Sequence, residues 1–218
     1  MHETGHRTRR FTIWLLLVFI ILAVPGCWTG GTSGSLRTVS LGERSVVLPT
    51  DFKSVYYSHD PVTGVTSFML SDIDPKKMIE GGITDGQFMH VELLWVPLAG
   101  QTPMDSSATN ATIRYVLISK GELGIYGGAG FANPSRDPGV STLSVSLKDA
   151  SIQLLESTPG FQDLLSPAQM TGVFNARLDD KMTRQMNYAA SQIVTNALGR
   201  TRFVFNSEAQ MQSGQPQS

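Results

Sequence analysis

The clearest pattern along the chain is the alternation T-L-S-V-S-L-K at 142–148. It sets Leu143, Val145 and Leu147 on one face and Ser144, Ser146 and Lys148 on the other, the two-residue period of a strand with one dry and one wet face. Residues 56–70, Y-Y-S-H-D-P-V-T-G-V-T-S-F-M-L, predict two strands joined by a turn around Asp60, Pro61, Val62, Thr63 and Gly64. Residues 87–98 and 112–119 are rich in β-branched and aromatic side chains, with a loop expected over 103–110. Shorter strands are predicted at 123–126, 151–155, 172–178 and 202–205. The period changes at 181–198, where Met182, Met186, Ala189, Ala190, Ile193 and Ala197 recur every three or four residues on one helical face. Asp179 or Asp180 can cap that helix and suits the positive end of its dipole, and Gly199 can end it. A short helix is predicted at 74–80, with Pro75 at its first position.

These elements predict an α+β fold, mainly antiparallel β, as a sheet or sandwich of about eight short strands with one long C-terminal helix packed on it. One domain at 36–206 accounts for the pattern, and the polar, Gln-rich 207–218 predicts a disordered tail. No internal repeat is visible. The helical stripe has two readings: small residues and methionines that fill a core, or an apolar pocket between helix and sheet lined by Met182 and Met186.

The N-terminus adds a location. Arg7, Arg9 and Arg10 precede an apolar run, and its unbroken part, 13–24, would span about 18 Å as a helix, short of the ~30 Å hydrocarbon core. That is the length of a secretory signal, and the arginine pair at 9–10 is ordinary charge for the basic end of one. The stretch V-P-G-C at 24–27 resembles the lipobox of bacterial lipoproteins, in which the cysteine is lipidated and becomes the new N-terminus. Val24, Gly26 and Cys27 match it, while Pro25 stands where Ala or Ser is usual. The resemblance covers 1–27 alone. It implies a signal peptide at 1–26, a lipidated Cys27 and a cell-envelope protein held to the membrane through its N-terminal lipid. Trp28, in place of an aspartate, implies the outer membrane facing the periplasm rather than the inner membrane. The alternative is an uncut, single N-terminal membrane anchor. Residues 28–35, W-T-G-G-T-S-G-S, read as a flexible tether of about 15 Å.

Charge and composition then narrow the chemistry. The 218 residues carry 17 basic and 18 acidic side chains, so nothing draws the chain to nucleic acid. Loss of Arg7, Arg9, Arg10 and Glu3 with the signal leaves 14 against 17, a net charge of −3, so attachment would rest on acyl chains and not on basic residues. Cys27 is the only cysteine, so the chain can form no internal disulfide, and its commitment to a lipid anchor would leave no thiol for Cys–His catalysis. No nucleophile-elbow or H-E-x-x-H motif occurs, and no cofactor is expected. His59, His90 and Glu92 are the weak candidates for a two-histidine, one-carboxylate metal site, against plain polar positions on a wet sheet face. His59-Asp60 also reads as turn chemistry, and Asp72-x-Asp74 lacks the rest of a calcium loop. Asn110-Ala111-Thr112 matches a glycosylation sequon by pattern only.

The stretch 121–139 holds six glycines in 19 residues and matches no nucleotide-binding loop. It reads either as a strand with bulges or as a ligand or partner loop. In the second reading Tyr126, Gly127, Gly128, Gly130, Phe131, Asn133 and Arg136 are the contacts. Together these features lead to a lipid-anchored, non-catalytic binding or accessory module with a protein or envelope-component partner. The alternatives are a carrier of an apolar ligand between helix and sheet, and a metal-dependent hydrolase.

Overall fold

The computed structural model describes residues 32–43, 45–97 and 109–202. The expected signal segment, Cys27, the start of the expected tether, much of the expected 103–110 loop, most of the last expected strand and residues 207–218 lie outside the described residues. Nine strands and two helices follow in chain order: β1 (Ser33–Ser40), β2 (Val47–Phe52), β3 (Ser54–His59), β4 (Thr66–Ser71), α1 (Pro75–Glu80), β5 (Gly86–Leu93), β6 (Ala111–Ser119), β7 (Glu122–Pro134), β8 (Thr142–Ser157), β9 (Ala168–Leu178) and α2 (Asp180–Leu198). The protein is mainly antiparallel β with a C-terminal helix, and the strands form one sheet.

That sheet closes on itself. Strands β3 to β8 pair in sequence, each antiparallel to the next. β9 lies antiparallel to β8 on one edge. On its other edge β9 pairs with β1 over Ser33–Ser40 and then, in parallel, with β3 through Tyr56↔Arg177 and Tyr57↔Leu178. Closure leaves the ring itself without a free edge, and β2 alone remains at the end of the sheet. Pro49, in the middle of β2, has no N–H to offer a further strand.

Alternation along each strand divides the apolar side chains into two cores. The interior holds Leu36, Phe52, Val55, Tyr57, Phe68, Leu70, Met89, Val91, Ile113, Tyr115, Tyr126, Leu143, Val145, Leu147 and Phe174. Its rings stack or meet edge to face, with Tyr57–Phe68 centroids 5.5 Å apart and Phe68–Phe174 5.3 Å apart. The second core gathers Met69, Phe88, Val116, Ile118, Leu123 and Ile125 with Met78 of α1 and Met186, Ala189, Ala190 and Val194 of α2. Met186 and Val194 are fully buried there, and each stabilises the fold by about 1.5–3 kcal/mol through area removed from water.

Both helices begin and end as their sequences require. Asp179 Oδ1 accepts from Met182 N–H at 2.9 Å, and Gly199 takes the left-handed conformation at φ 67°. Asp74 Oδ1 accepts from Lys76 N–H at 2.9 Å, with Pro75 in the first turn. Lys120 and Gly121 both have positive φ, which gives the tight turn that joins β6 to β7.

Three expectations change. Ser33, Gly34 and Ser35 belong to β1 and pair with both β2 and β9, so the tether cannot extend to residue 35. Residues 142–148 and 151–155 are one strand, β8, interrupted by an irregularity between Leu147 and Ala150 where Asp149 has φ 46°. Residues 122–134 form the 13-residue strand β7, and the irregular segment starts only at Ser135.

Two loops pack against the interior core. In one, the Tyr57 hydroxyl donates to Val140 C=O and accepts from Gly139 N–H at 3.2 Å, and Val140 packs on the core. In the other, the strap of residues 158–167, Leu165 is buried in the interior core and the Phe161 ring lies 6.3 Å from that of Tyr126. One oxygen of Asp163 holds the strap by accepting from Tyr126 O–H at 2.9 Å, Leu165 N–H at 3.0 Å and Ser166 N–H at 3.1 Å.

Candidate functional site

The histidine candidates fall on opposite faces of the sheet. His59 follows Val55 and Tyr57 on the interior face of β3, and its Nδ1 lies 2.9 Å from Thr66 Oγ1. His90 lies between the interior residues Met89 and Val91 and therefore faces outward, its Nε2 2.8 Å from Ser67 Oγ. Glu92 shares the outer face with His90. The three do not converge, and no group of three or more potential metal ligands occurs among the described residues. Burial holds the His90 imidazole far below its usual range, at about 3, and the Arg114 charge adds to the shift. Asp60 instead organises its turn, accepting from Val62 N–H at 2.9 Å and Thr63 O–H at 2.8 Å.

The glycine-rich stretch is built for strand packing. Tyr126 is fully buried, and burial followed by its bond to Asp163 pushes its phenol well above the usual range. A Cβ on Gly127 would meet Leu155, and one on Gly128 would lie 1.8 Å from Ser151 C=O. A Cβ on Gly130 would lie 2.4 Å from that of Ala150. These glycines allow β7 to lie close against β8 at its irregularity. Phe131 packs edge-on against Trp95 at 6.4 Å. Asn133 and Arg136 alone of the seven candidates are exposed. The sequon residue Asn110 is buried; it donates to Trp95 C=O at 3.1 Å and Ala132 C=O at 2.8 Å and accepts from Ala132 N–H at 2.7 Å. It splices β6 to β7 and is unavailable for modification in the folded state.

A surface that the sequence did not reveal lies along α2. A groove of about 1050 Å³ runs between α1 with the turn after it and the flank of α2 that carries Arg184, Gln185, Tyr188, Gln192, Ile193, Asn196 and Ala197. Ile118, Leu123 and Gly121 form its floor, where the β6–β7 turn passes beneath. Gly81 and Gly82 shape the far wall at φ 82° and 72°, conformations costly for any other residue. The floor is apolar, the rim is mostly amide and charged, and two large apolar side chains stand exposed on its lips: Tyr188 at 68% and Ile79 at 50%. Met182 and Met186 do not line this groove; Met186 fills the interface beneath the helix. The cavity therefore lies beside the helix–sheet interface and not within it.

Only part of the groove had a sequence signal. Ile193 and Ala197 belong to the apolar stripe yet face the groove, and Tyr188 stands off the stripe on an otherwise polar side. The other wall comes from residues 78–83, more than a hundred positions earlier. No helix among the described residues is long and apolar enough to cross a membrane. Comparison with protein-family models, with characterised proteins and with solved structures finds no match to the chain.

Proposed function

We propose that the protein is a lipid-anchored, non-catalytic binding module of the bacterial envelope, which receives an apolar segment of an envelope protein in the groove between α1 and α2. The observation that carries this reading is an apolar floor left open between lips that expose Tyr188 and Ile79. Aromatic and aliphatic anchors entering such a pocket dominate binding energy, while a polar rim supplies orientation. The anchor rests on V-P-G-C at 24–27, and the periplasmic face of the outer membrane rests on Trp28. Of the glycine-rich stretch 121–139, this reading uses only Gly121 and Leu123, which lie in the floor of the groove.

The test uses the full chain in membranes. Cys27→Ser should abolish acyl labelling, and unchanged labelling and membrane fractionation would sink the lipid anchor. Tyr188→Lys should leave thermal stability unchanged and remove a partner that co-purifies stoichiometrically with the wild type from detergent extracts. Retention of that partner by the variant would reject the groove as its site.

The volume of the groove favours one further reading, a carrier that holds an apolar small ligand such as an acyl chain. Native mass spectrometry of the protein should then find bound lipid, or uptake of added lipid that Tyr188→Lys abolishes. Neither bound nor added lipid in the spectrum would dismiss it.

A further inference from the structure

The rim of the groove carries charges and amides that the fold itself leaves unused. Glu80, the last residue of α1, stands on one wall, and Arg184, in the second turn of α2, stands on the other. Both are exposed, and neither side chain takes part in an ion pair or hydrogen bond among the described residues. Other exposed arginines are paired: Arg177 lies 3.7 Å from Asp179, and Arg200 and Arg202 both meet Glu156. Besides Arg184 and Tyr188, the polar positions of the α2 wall are amides. Gln185, Gln192 and Asn196 are seven and four residues apart, close to two turns and one turn of helix. They therefore form one row about 16 Å long. All three are exposed, and their carboxamides bond to nothing among the described residues.

Whatever fills the groove must cover these groups or meet them. An acyl chain offers nothing to a carboxamide or to a charge, and covering a polar group without a partner is unfavourable. A polypeptide differs, because its main chain carries donors and acceptors along its whole length. It can set apolar side chains on the floor while that main chain runs beside the amide row. Charge complementarity then fixes its flanks, with a basic side chain toward Glu80 and an acidic one toward Arg184. We infer that the occupant of the groove is a stretch of polypeptide with apolar side chains on the floor, a basic residue against Glu80 and an acidic residue against Arg184, its main chain bonded to Gln185, Gln192 and Asn196. The inference rests on the groove being the site of a protein segment, and it adds which segments are selected. Both charges are exposed, so salt screens them, and they choose among apolar segments more than they add to affinity.

Selection from a phage-displayed library on the full-length protein in detergent tests this. Random peptides of about twelve residues span the amide row whether helical or extended. Peptides retained by the wild type and lost by Tyr188→Lys are groove binders, and these are synthesised and titrated at low salt. They should carry a basic and an acidic residue beside their apolar positions. Glu80→Lys should weaken them several-fold, and exchanging the peptide's basic residue for Glu should restore binding to that variant. Arg184→Glu should act in the same way on the acidic residue, and Gln192→Leu should also weaken binding. Melting temperatures should match the wild type, since every substituted position is exposed. Glu80→Gln and Arg184→Gln replace the reversals if either lowers the melting temperature. Groove binders indifferent to both charge changes would overturn the inference and leave the groove as a binding site. Absence of any Tyr188-dependent peptide would overturn both, and phospholipid uptake abolished by Tyr188→Lys without peptide binding would assign the groove to lipid instead.

Discussion

His90 lies on the outer face of β5 with its Nε2 2.8 Å from the Ser67 hydroxyl, buried enough to hold its imidazole at about 3. Unfolded, the same side chain titrates near 6.5. Between those values the unfolded chain binds a proton that the folded one refuses. The contribution of His90 to stability is therefore complete above about pH 6.5 and shrinks as pH falls toward 3, by at most about 1.4 kcal/mol per pH unit. Urea midpoints measured from pH 7.5 down to 5 should fall in the wild type and fall less in His90→Gln; parallel curves would contradict the assignment. Alternation along 87–98 was enough to place His90 and Glu92 on one face, but not to separate His59 from them. His59 sits on another strand whose facing depends on closure of the whole ring. Asn110 carries the same lesson. Its sequon is three letters long, while its actual role depends on Trp95 and Ala132, which no local pattern connects.

At the level of elements, strong local signals proved legible and weak ones did not. The helix at 180–198 was readable from its period and from Asp179 and Gly199, because capping chemistry is local. The turn at 60–64 was readable for the same reason. β1 was not, because its inward positions are Gly34, Leu36, Thr38 and Ser40, and one apolar residue in four makes no visible alternation. β7 was half missed because its glycines look like a loop until β8 is laid against them. Gly128→Ala should destabilise the fold by about 3 kcal/mol, at the upper end for overpacking, since the obstacle is backbone and cannot rotate away. Gly121→Asn, in the open turn, should cost far less because asparagine tolerates the left-handed conformation. Chemical denaturation of the two variants side by side checks the contrast.

For the molecule as a whole, the ring and the loops packed against its core set what can move. Asp163 ties the strap to Tyr126 through one oxygen that also takes two amides. Burial raises its pKa, but the Leu165 and Ser166 amide bonds outweigh that and leave it below the usual carboxylate range. Its hold is therefore complete above that range and lost as pH falls below it. Asp163→Ala should speed hydrogen exchange across 158–167 at neutral pH while the β4–β6 amides stay protected; uniform loss of protection would mean that the strap does not open by itself. The groove and the ring stayed hidden in the sequence because both join segments separated by most of the chain. β9 is the strand that makes the ring, since it alone bonds to β8 on one edge and to β1 and β3 on the other. It is also the last strand in the described chain. During synthesis, β1 and β3 must each wait, with one edge unpaired, until β9 has emerged. Such distant pairing makes folding slow and leaves the early strands open to association with other chains in the interval.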